Sequence, residues 1–247
     1  MDLSDRKKQI LQMIVEGYIR TAEPVGSRSI SKNSELNLSA ATIRNEMGDL
    51  EEMGLIEQPH ASAGRKPSNL GYRVYVDSLM SSYKMTASEM RELQRAMELK
   101  AKRLEDIARS ISHAFSSVTH MPTVASLPGS DEVYMQGTPN ILRFPEYSDV
   151  GKAREILEFL LDMSSMRNVL DLLGGEGNTK VVIGDEALIP QLKDASVILS
   201  RYSAGANIAG VIGVIAPTRV DYSEIVSKLE YFTERLSKVL EKEFIDN

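Results

Sequence analysis

The chain has no cysteine among its 247 residues, which excludes disulfides, thiol catalysis and thiolate metal sites. That absence suits a reducing cytoplasm and is equally compatible with the other side of a membrane. No apolar run reaches membrane-spanning length. The opening Met1-Asp2-Leu3-Ser4-Asp5-Arg6 lacks the apolar core of a secretion signal. The expectation is a soluble, cytoplasmic protein. Positive charge is in the minority, with 29 Lys and Arg against 35 Asp and Glu, for a formal charge of -6. Such a balance argues against a protein that coats nucleic acid, and says nothing against a small basic face.

One segment lacks the majority charge. From Glu57 to Asp77 the sequence runs EQPHASAGRKPSNLGYRVYVD, with no acid between its ends but with His60, Arg65, Lys66 and Arg73. The rest is ordinary for a globular protein, at 42% hydrophobic and 26% charged. The length fits one large domain or two small ones, and suffices for a real core.

Residues 4 to 20 read as a helix, capped by Ser4, with an apolar stripe of Ile10, Leu11, Ile14, Val15, Tyr18 and Ile19. TAEPVGS breaks the pattern, and Ser27 can cap a short second helix. Ser39 can cap a third, with Ile43, Met47 and Leu50 facing inward and Gly54 ending it. Leu55 and Ile56 suggest a strand. After the basic stretch, Tyr72, Val74 and Val76 alternate like a second strand. Three helices, a strand, a Gly-containing loop and a strand is the order of a winged helix-turn-helix, with the loop as wing.

From Ser88 to about Val118 a helical pattern repeats every seven residues at Met90, Met97, Leu104, Ile111 and Val118. Leu93, Ile107 and Ala114 form a second seam that Lys100 interrupts. It fits a dimer seam or a helix lying on the next domain, and periodicity does not separate the two. Residues 121 to 148 read as loop-rich. A helix over 149 to 161, strands over 180 to 183, 196 to 202 and 208 to 216, and a final helix from Tyr222 to about Phe244 make the C-terminal part α+β. The expected division is 1 to 80, a linker helix over 86 to 120, and 121 to 247.

The third helix opens with Ser39, Ala41, Thr42, Arg44 and Asn45. Arg pairs bidentately with guanine, Asn with adenine, and Ala or Thr meets a thymine methyl. Its far end carries Asp49, Glu51 and Glu52, which phosphate would repel, so only the N-terminal half suits a groove. The bland reading is an amphipathic helix with a solvated polar face. Ser27, Arg28, Ser29 and Lys32 of the second helix suit phosphate contact. In the wing, Gly64 suits close backbone approach to DNA, Arg65 and Lys66 offer cations, and Pro59 and Pro67 stiffen the loop. A solvated hairpin tip is the bland alternative.

Other signals are weak. His113 and His120 lie seven apart with no third ligand nearby, so no metal is expected. LLGGEGNTK lacks the Lys-Ser/Thr of a phosphate loop. No catalytic constellation and no cofactor motif is visible, which argues against an enzyme.

RKKQILQMIVEGYI, TAEPVGSRSIS and LSAATIRNEMGDLEEMGLIEQPHASAGRKPSNLGYRVYVD closely resemble the N-terminal domain of the bacterial heat-inducible transcription repressor family HrcA. GSDEVYMQGTPNILRFPEYSDV and GVIGVIAPTRVDYSEIVSKLEYF extend the resemblance over most of the chain. It implies a cytoplasmic homodimer that binds an inverted repeat ahead of chaperone operons and represses them, with the GroEL chaperonin modulating its activity. The implied architecture is a winged helix and a GAF-like domain carrying a dimerisation insert. Carried onto this sequence, Ser39, Thr42, Arg44 and Asn45 would face bases, and Arg28, His60, Ser62, Arg65 and Lys66 would hold phosphate or minor groove. Relatives usually carry a long stretch between the counterparts of TVASLP and DEVYMQG, where here only Gly129 and Ser130 stand. Its absence would remove central strands of the GAF-like domain, leave the strand near Val124 short of neighbours, and remove dimerisation or shift it to the helix from Met90. A regulator controlled by a small ligand of the C-terminal domain is the alternative. A winged helix used for protein contact is a further one.

Overall fold

The computed structural model describes residues 3–33, 36, 38–96, 104–127, 132–174, 177–203 and 209–244. The chain forms two units, Met1–Ser81 with Thr218–Ser223, and Ser82–Pro217 with Glu224–Asn247.

In the first unit, α1 (Asp5–Thr21) starts at Ser4, whose hydroxyl accepts from the Lys7 N–H and so satisfies one of the free donors of the first turn. Ile10, Leu11, Ile14 and Val15 recur at helical spacing and are buried. The helix stops at Ala22, in the left-handed region at φ 58°, with its N–H on the Tyr18 carbonyl. α2 (Ser27–Asn33) and α3 (Ala40–Glu52) pack together, and α1 crosses α3. Ser27 is the first residue of α2, and the Gly26 carbonyl accepts the turn's N–H groups from Ser29 and Ile30. Beyond α3, Gly54 turns the chain at φ 73°. β1 (Ile56–Glu57) and β2 (Lys66–Pro67) pair antiparallel, Ile56 with Pro67 and Glu57 with Lys66.

The expected strand over Tyr72, Val74 and Val76 is instead α4 (Asn69–Val74), followed by a π-helical turn at Tyr75–Leu79. Ser68 caps α4 by accepting from the Gly71 N–H at 3.0 Å. Tyr72 and Tyr75, three apart, are the buried aromatics, so the period is helical and the alternation of Tyr and Val was misleading. The wing's returning strand is therefore only Lys66–Pro67. Tyr222 closes this unit against Tyr72, with ring centroids 5.7 Å apart, and the Arg219 guanidinium donates to the Ile19 carbonyl at 2.9 Å.

The second unit is built on a five-stranded antiparallel sheet in the order β4-β3-β7-β6-β5, from β3 (Thr123–Ser126), β4 (Val133–Gln136), β5 (Thr179–Ile183), β6 (Ala195–Ser203) and β7 (Ala209–Pro217). Alternation along β6 separates its two faces. Ala195, Val197 and Leu199 join Val124, Val182 and Ile215 in a core with α7 (Val150–Leu161) and α8 (Met163–Asp171). On the opposite face Ser200 meets Thr233 of α9 (Tyr222–Phe244) at 3.1 Å, and the Phe115 ring of α6 (Leu104–Thr119) meets Phe232 at 5.0 Å. The unit is thus helix, sheet, helix in layers.

Three expectations are corrected here. The pattern over 88 to 118 falls on two helices, α5 (Ala87–Ala96) and α6, which pack on one another; a single straight helix would carry its two ends apart. Met97 and Lys100 lie outside the described residues. Of the seam positions, Leu93, Ile111 and Ala114 are buried, and α6 lies on β3 and β4. The stretch 121 to 148 is not only loop, since it holds β3, β4 and two short 3-10 turns. And the strand near Val124 is not short of neighbours: β3 pairs with β4 on one side and β7 on the other. Gly129 and Ser130 lie outside the described residues.

Candidate nucleic-acid interface

The outward face of α3 is set by its inward one. Ile43, Met47 and Leu50 are buried, so at 3.6 residues per turn Ala41, Arg44 and Asn45 point away and are exposed. Ser39 starts the helix, its hydroxyl accepting from the Thr42 N–H at 3.1 Å and lying 2.9 Å from the Thr42 hydroxyl.

Three acids of the helix's second half, Glu46, Asp49 and Glu51, have cations of this unit beside them. Lys7 of α1 lies 2.9 Å from Glu46 and 2.8 Å from Asp49, and Arg6 is 3.3 Å from Glu46. Hydrogen bonds donated by Lys7 to Asp49 and then to Glu46 raise its pKa above its ordinary value. Glu51 holds Arg65 of the wing, at 3.0 Å from Nε and 2.8 Å from Nη2. Negative charge beside the exposed row is thereby compensated.

The wing tip is ordered by the Gln58 side chain and by one backbone turn. Gln58 donates to the Ala61 and Ala63 carbonyls, both at 3.0 Å, and the Ala63 N–H returns to His60. His60 Nδ1 lies 3.2 Å from the Ser62 hydroxyl, and Lys66 is 3.3 Å from Glu57. The base of the wing bonds the turn before α2, with the Val25 N–H on the Arg65 carbonyl at 2.8 Å and the Arg65 N–H on Val25 at 2.9 Å. A Cβ on Gly64 would stand 2.5 Å from the Val25 carbonyl and 2.6 Å from the Pro24 oxygen. The close approach that requires glycine there is to the helix-turn-helix, not to DNA.

Between α2, α3 and the wing lies a cleft of about 640 Å³ that brings Arg28, Arg44, Ser62 and Arg65 together with Gln58. Ser39, Thr42, Asn45, His60 and Lys66 do not line it. Sequence reasoning passed over Gln58, and read Glu51 only as an acid that phosphate would repel, not as the partner of Arg65. A lone amide in the wing and an acid at a helix end gave no signal of their partners. Among the described residues no three His, Asp or Glu side chains gather as a metal group, and no helix is long and apolar enough to cross a membrane.

Residues 2–78 match a sequence family described as a winged helix-turn-helix transcription repressor, HrcA DNA-binding, and residues 78–226 match the HrcA protein C terminal domain. The chain belongs to the HrcA family. The heat-inducible transcription repressor HrcA of Acetivibrio thermocellus is 30% identical over 98% of this chain and 97% of that protein. That of Thermoanaerobacter pseudethanolicus is 32% identical over 100% and 99%. A crystal structure of a hypothetical protein at 21% identity superposes with a TM-score of 0.77, covering 98% of this chain and 99% of that one, and supports the fold. The alignment with the A. thermocellus HrcA runs over 342 positions against 247 residues here, so that relative carries residues this chain lacks. Family membership makes the chain a heat-inducible transcription repressor that binds DNA through its winged helix-turn-helix, not an enzyme.

Proposed function

We propose that the chain is a cytoplasmic repressor of chaperone operons that acts as a homodimer. Each protomer sets α3 into the major groove of one half of an inverted repeat, and the bound dimer blocks transcription. Ser39, Thr42, Arg44 and Asn45 face the bases. Arg28, His60, Ser62, Arg65 and Lys66 serve the backbone or minor groove, with Ser39 also capping the helix that it presents. The observation that carries this reading is the exposed Ala41, Arg44 and Asn45 row beside a cleft lined by Arg28, Arg44 and Arg65, on a helix whose Glu46, Asp49 and Glu51 each lie beside a cation. In this reading GroEL modulates the active form, the second unit is a GAF-like domain that lacks its usual insertion, and α5 with α6 links it to the DNA-binding head. The five-stranded antiparallel sheet and the greater length of the relative's alignment support that description.

The test is a fluorescence-anisotropy titration of a palindromic chaperone-operon duplex beside one half-site and a scrambled duplex, at two salt concentrations. Salt-sensitive binding that favours the palindrome over both controls is expected. Equal binding to half-site and palindrome would keep the DNA-reading head and remove the dimer.

A second reading, control by a small polar ligand, has one observation in its favour. A groove of about 530 Å³ beside β6 and α9 is lined by Thr179, Ser200, Arg201, Glu230, Thr233 and Lys238. Thermal stabilisation by a metabolite, together with altered DNA affinity, would support it.

A further inference from the structure

Of the cations that line the cleft, Arg65 is bound differently from the others. Its guanidinium directs Nε and Nη2 onto one oxygen of Glu51, leaving 17% of its side chain exposed. Its backbone makes two hydrogen bonds with Val25. The neighbouring Gly64 is seated where no Cβ fits against Val25 and Pro24. Arg28 and Arg44 are exposed, and among the described residues neither has an ion-pair partner.

These contacts tie the wing to the helix-turn-helix at two places, the turn before α2 and the C-terminal half of α3. An arginine turned outward to phosphate would leave the Glu51 carboxylate uncompensated on the recognition helix, where it would repel the duplex. A guanidinium kept on Glu51 removes that repulsion. It also fixes the distance between wing and recognition helix before DNA arrives, so that less freedom is lost on docking.

We propose that Arg65, in place of the backbone contact given to it above, is a positioning residue for DNA recognition, which holds the wing against α3 through Glu51 and leaves phosphate contact at the cleft to Arg28. This rests on the reading that α3 and the wing form the DNA-binding face. The two roles make opposite demands on Glu51. If Arg65 positions, loss of Glu51 weakens binding. If Arg65 contacts phosphate, loss of Glu51 frees a cation, removes an acid and tightens binding.

The experiment is anisotropy on the full chain with operator and random duplexes across a salt series, for wild type, Arg65→Ala, Glu51→Gln, the two together, the exchange Arg65→Glu with Glu51→Arg, and Arg28→Ala. Each single change at the pair should weaken operator binding about tenfold, and the double change should be no worse than either, as for residues that act through one contact. The slope of log K against log salt should stay that of wild type for both singles. It should become shallower by about one for Arg28→Ala, which removes a phosphate contact. The exchange should recover most of the affinity, which a phosphate ligand replaced by an acid does not allow. Thermal melts accompany each variant, and Glu51→Gln keeps the side-chain volume should Arg65→Ala fold poorly. A shallower slope for Arg65→Ala, tighter binding by Glu51→Gln, or an exchange no better than the weaker single would each overturn the proposal. A wild-type chain without salt-sensitive binding would overturn the DNA-binding face itself, and the proposal with it.

Discussion

Lys228 on α9 stands 3.1 Å from Glu89 on α5, and that pair joins these two helices of the second unit. Glu89 also accepts from the Thr86 N–H and hydroxyl and from the Tyr83 hydroxyl, each at 2.8 Å, while the Glu89 N–H returns to Thr86. This is a capping box with a cation added. The Thr86 N–H foremost, then the two hydroxyls and Lys228, hold the Glu89 carboxyl at about 2 against an ordinary 4.5. A lowered carboxyl pKa contributes stability that is complete above 4.5 and is lost as pH falls towards 2. Glu89→Ala should therefore cost about 1–2 kcal/mol near neutral pH, from a lost cap and a partly exposed pair. Thermal melts of variant and wild type should converge as pH is lowered from 4.5 to 2. A gap that stays constant across that range would remove the charge of Glu89 from the effect.

Arg44→Ala separates base reading from charge. A bidentate contact to guanine is worth about 1–3 kcal/mol of discrimination. Operator affinity should fall by that amount while random-duplex affinity falls less. Arg28→Ala should instead weaken both duplexes alike. Competition titrations of the two variants against both duplexes measure the ratio, and an equal loss for Arg44→Ala on both would end its base-reading role.

The helical half of the DNA-binding head was legible because its signals are local. Ser4 and Ser39 cap where they stand, Gly54 turns where it stands, and the spacing of Ile43, Met47 and Leu50 fixes the outward row. Two local signals conflicted at Tyr72 to Val76, where alternation suggested a strand; Ser68 capping Gly71 and the burial of Tyr75 decided for helix. The wing's chemistry was legible only as composition. That Arg65 faces Glu51, and that Gly64 faces Val25, are contacts between residues fourteen and thirty-nine apart, which no spacing rule carries. In the same way β3 gained neighbours on both sides because β7, from far along the chain, closes against it.

Gly48 lies in the second half of α3, and a Cβ there would meet nothing within 4 Å. Among the described residues no packing requires glycine there, so Gly48→Ala should raise the stability of the first unit by about 0.5–1 kcal/mol through helix propensity. Only the N-terminal half of α3 enters the groove in the reading above, so operator affinity should stay unchanged. A thermal melt and one anisotropy titration check both parts. Increased stability with lost affinity would extend the DNA-facing surface as far as Gly48.

Gly71 presents the opposite case. It is buried in α4, and an added Cβ would collide with the Leu55 carbonyl oxygen, a backbone atom that cannot rotate away. That same oxygen accepts the Ser68 N–H at 3.1 Å, and the Ser68 hydroxyl donates to the Gly54 carbonyl at 2.6 Å, so α4 is bonded directly to the start of β1. Gly71→Ala must therefore push α4 away from the strand that carries the wing. The cost should be about 1–3 kcal/mol, the range for overpacking a well-filled site. Because the strain falls at the root of the wing, operator binding should weaken along with the thermal stability of the first unit. Leu70, one residue earlier and exposed, supplies the control: Leu70→Ala should change neither by much. A Gly71→Ala chain that melts and binds like wild type would show that α4 does not hold the wing in place.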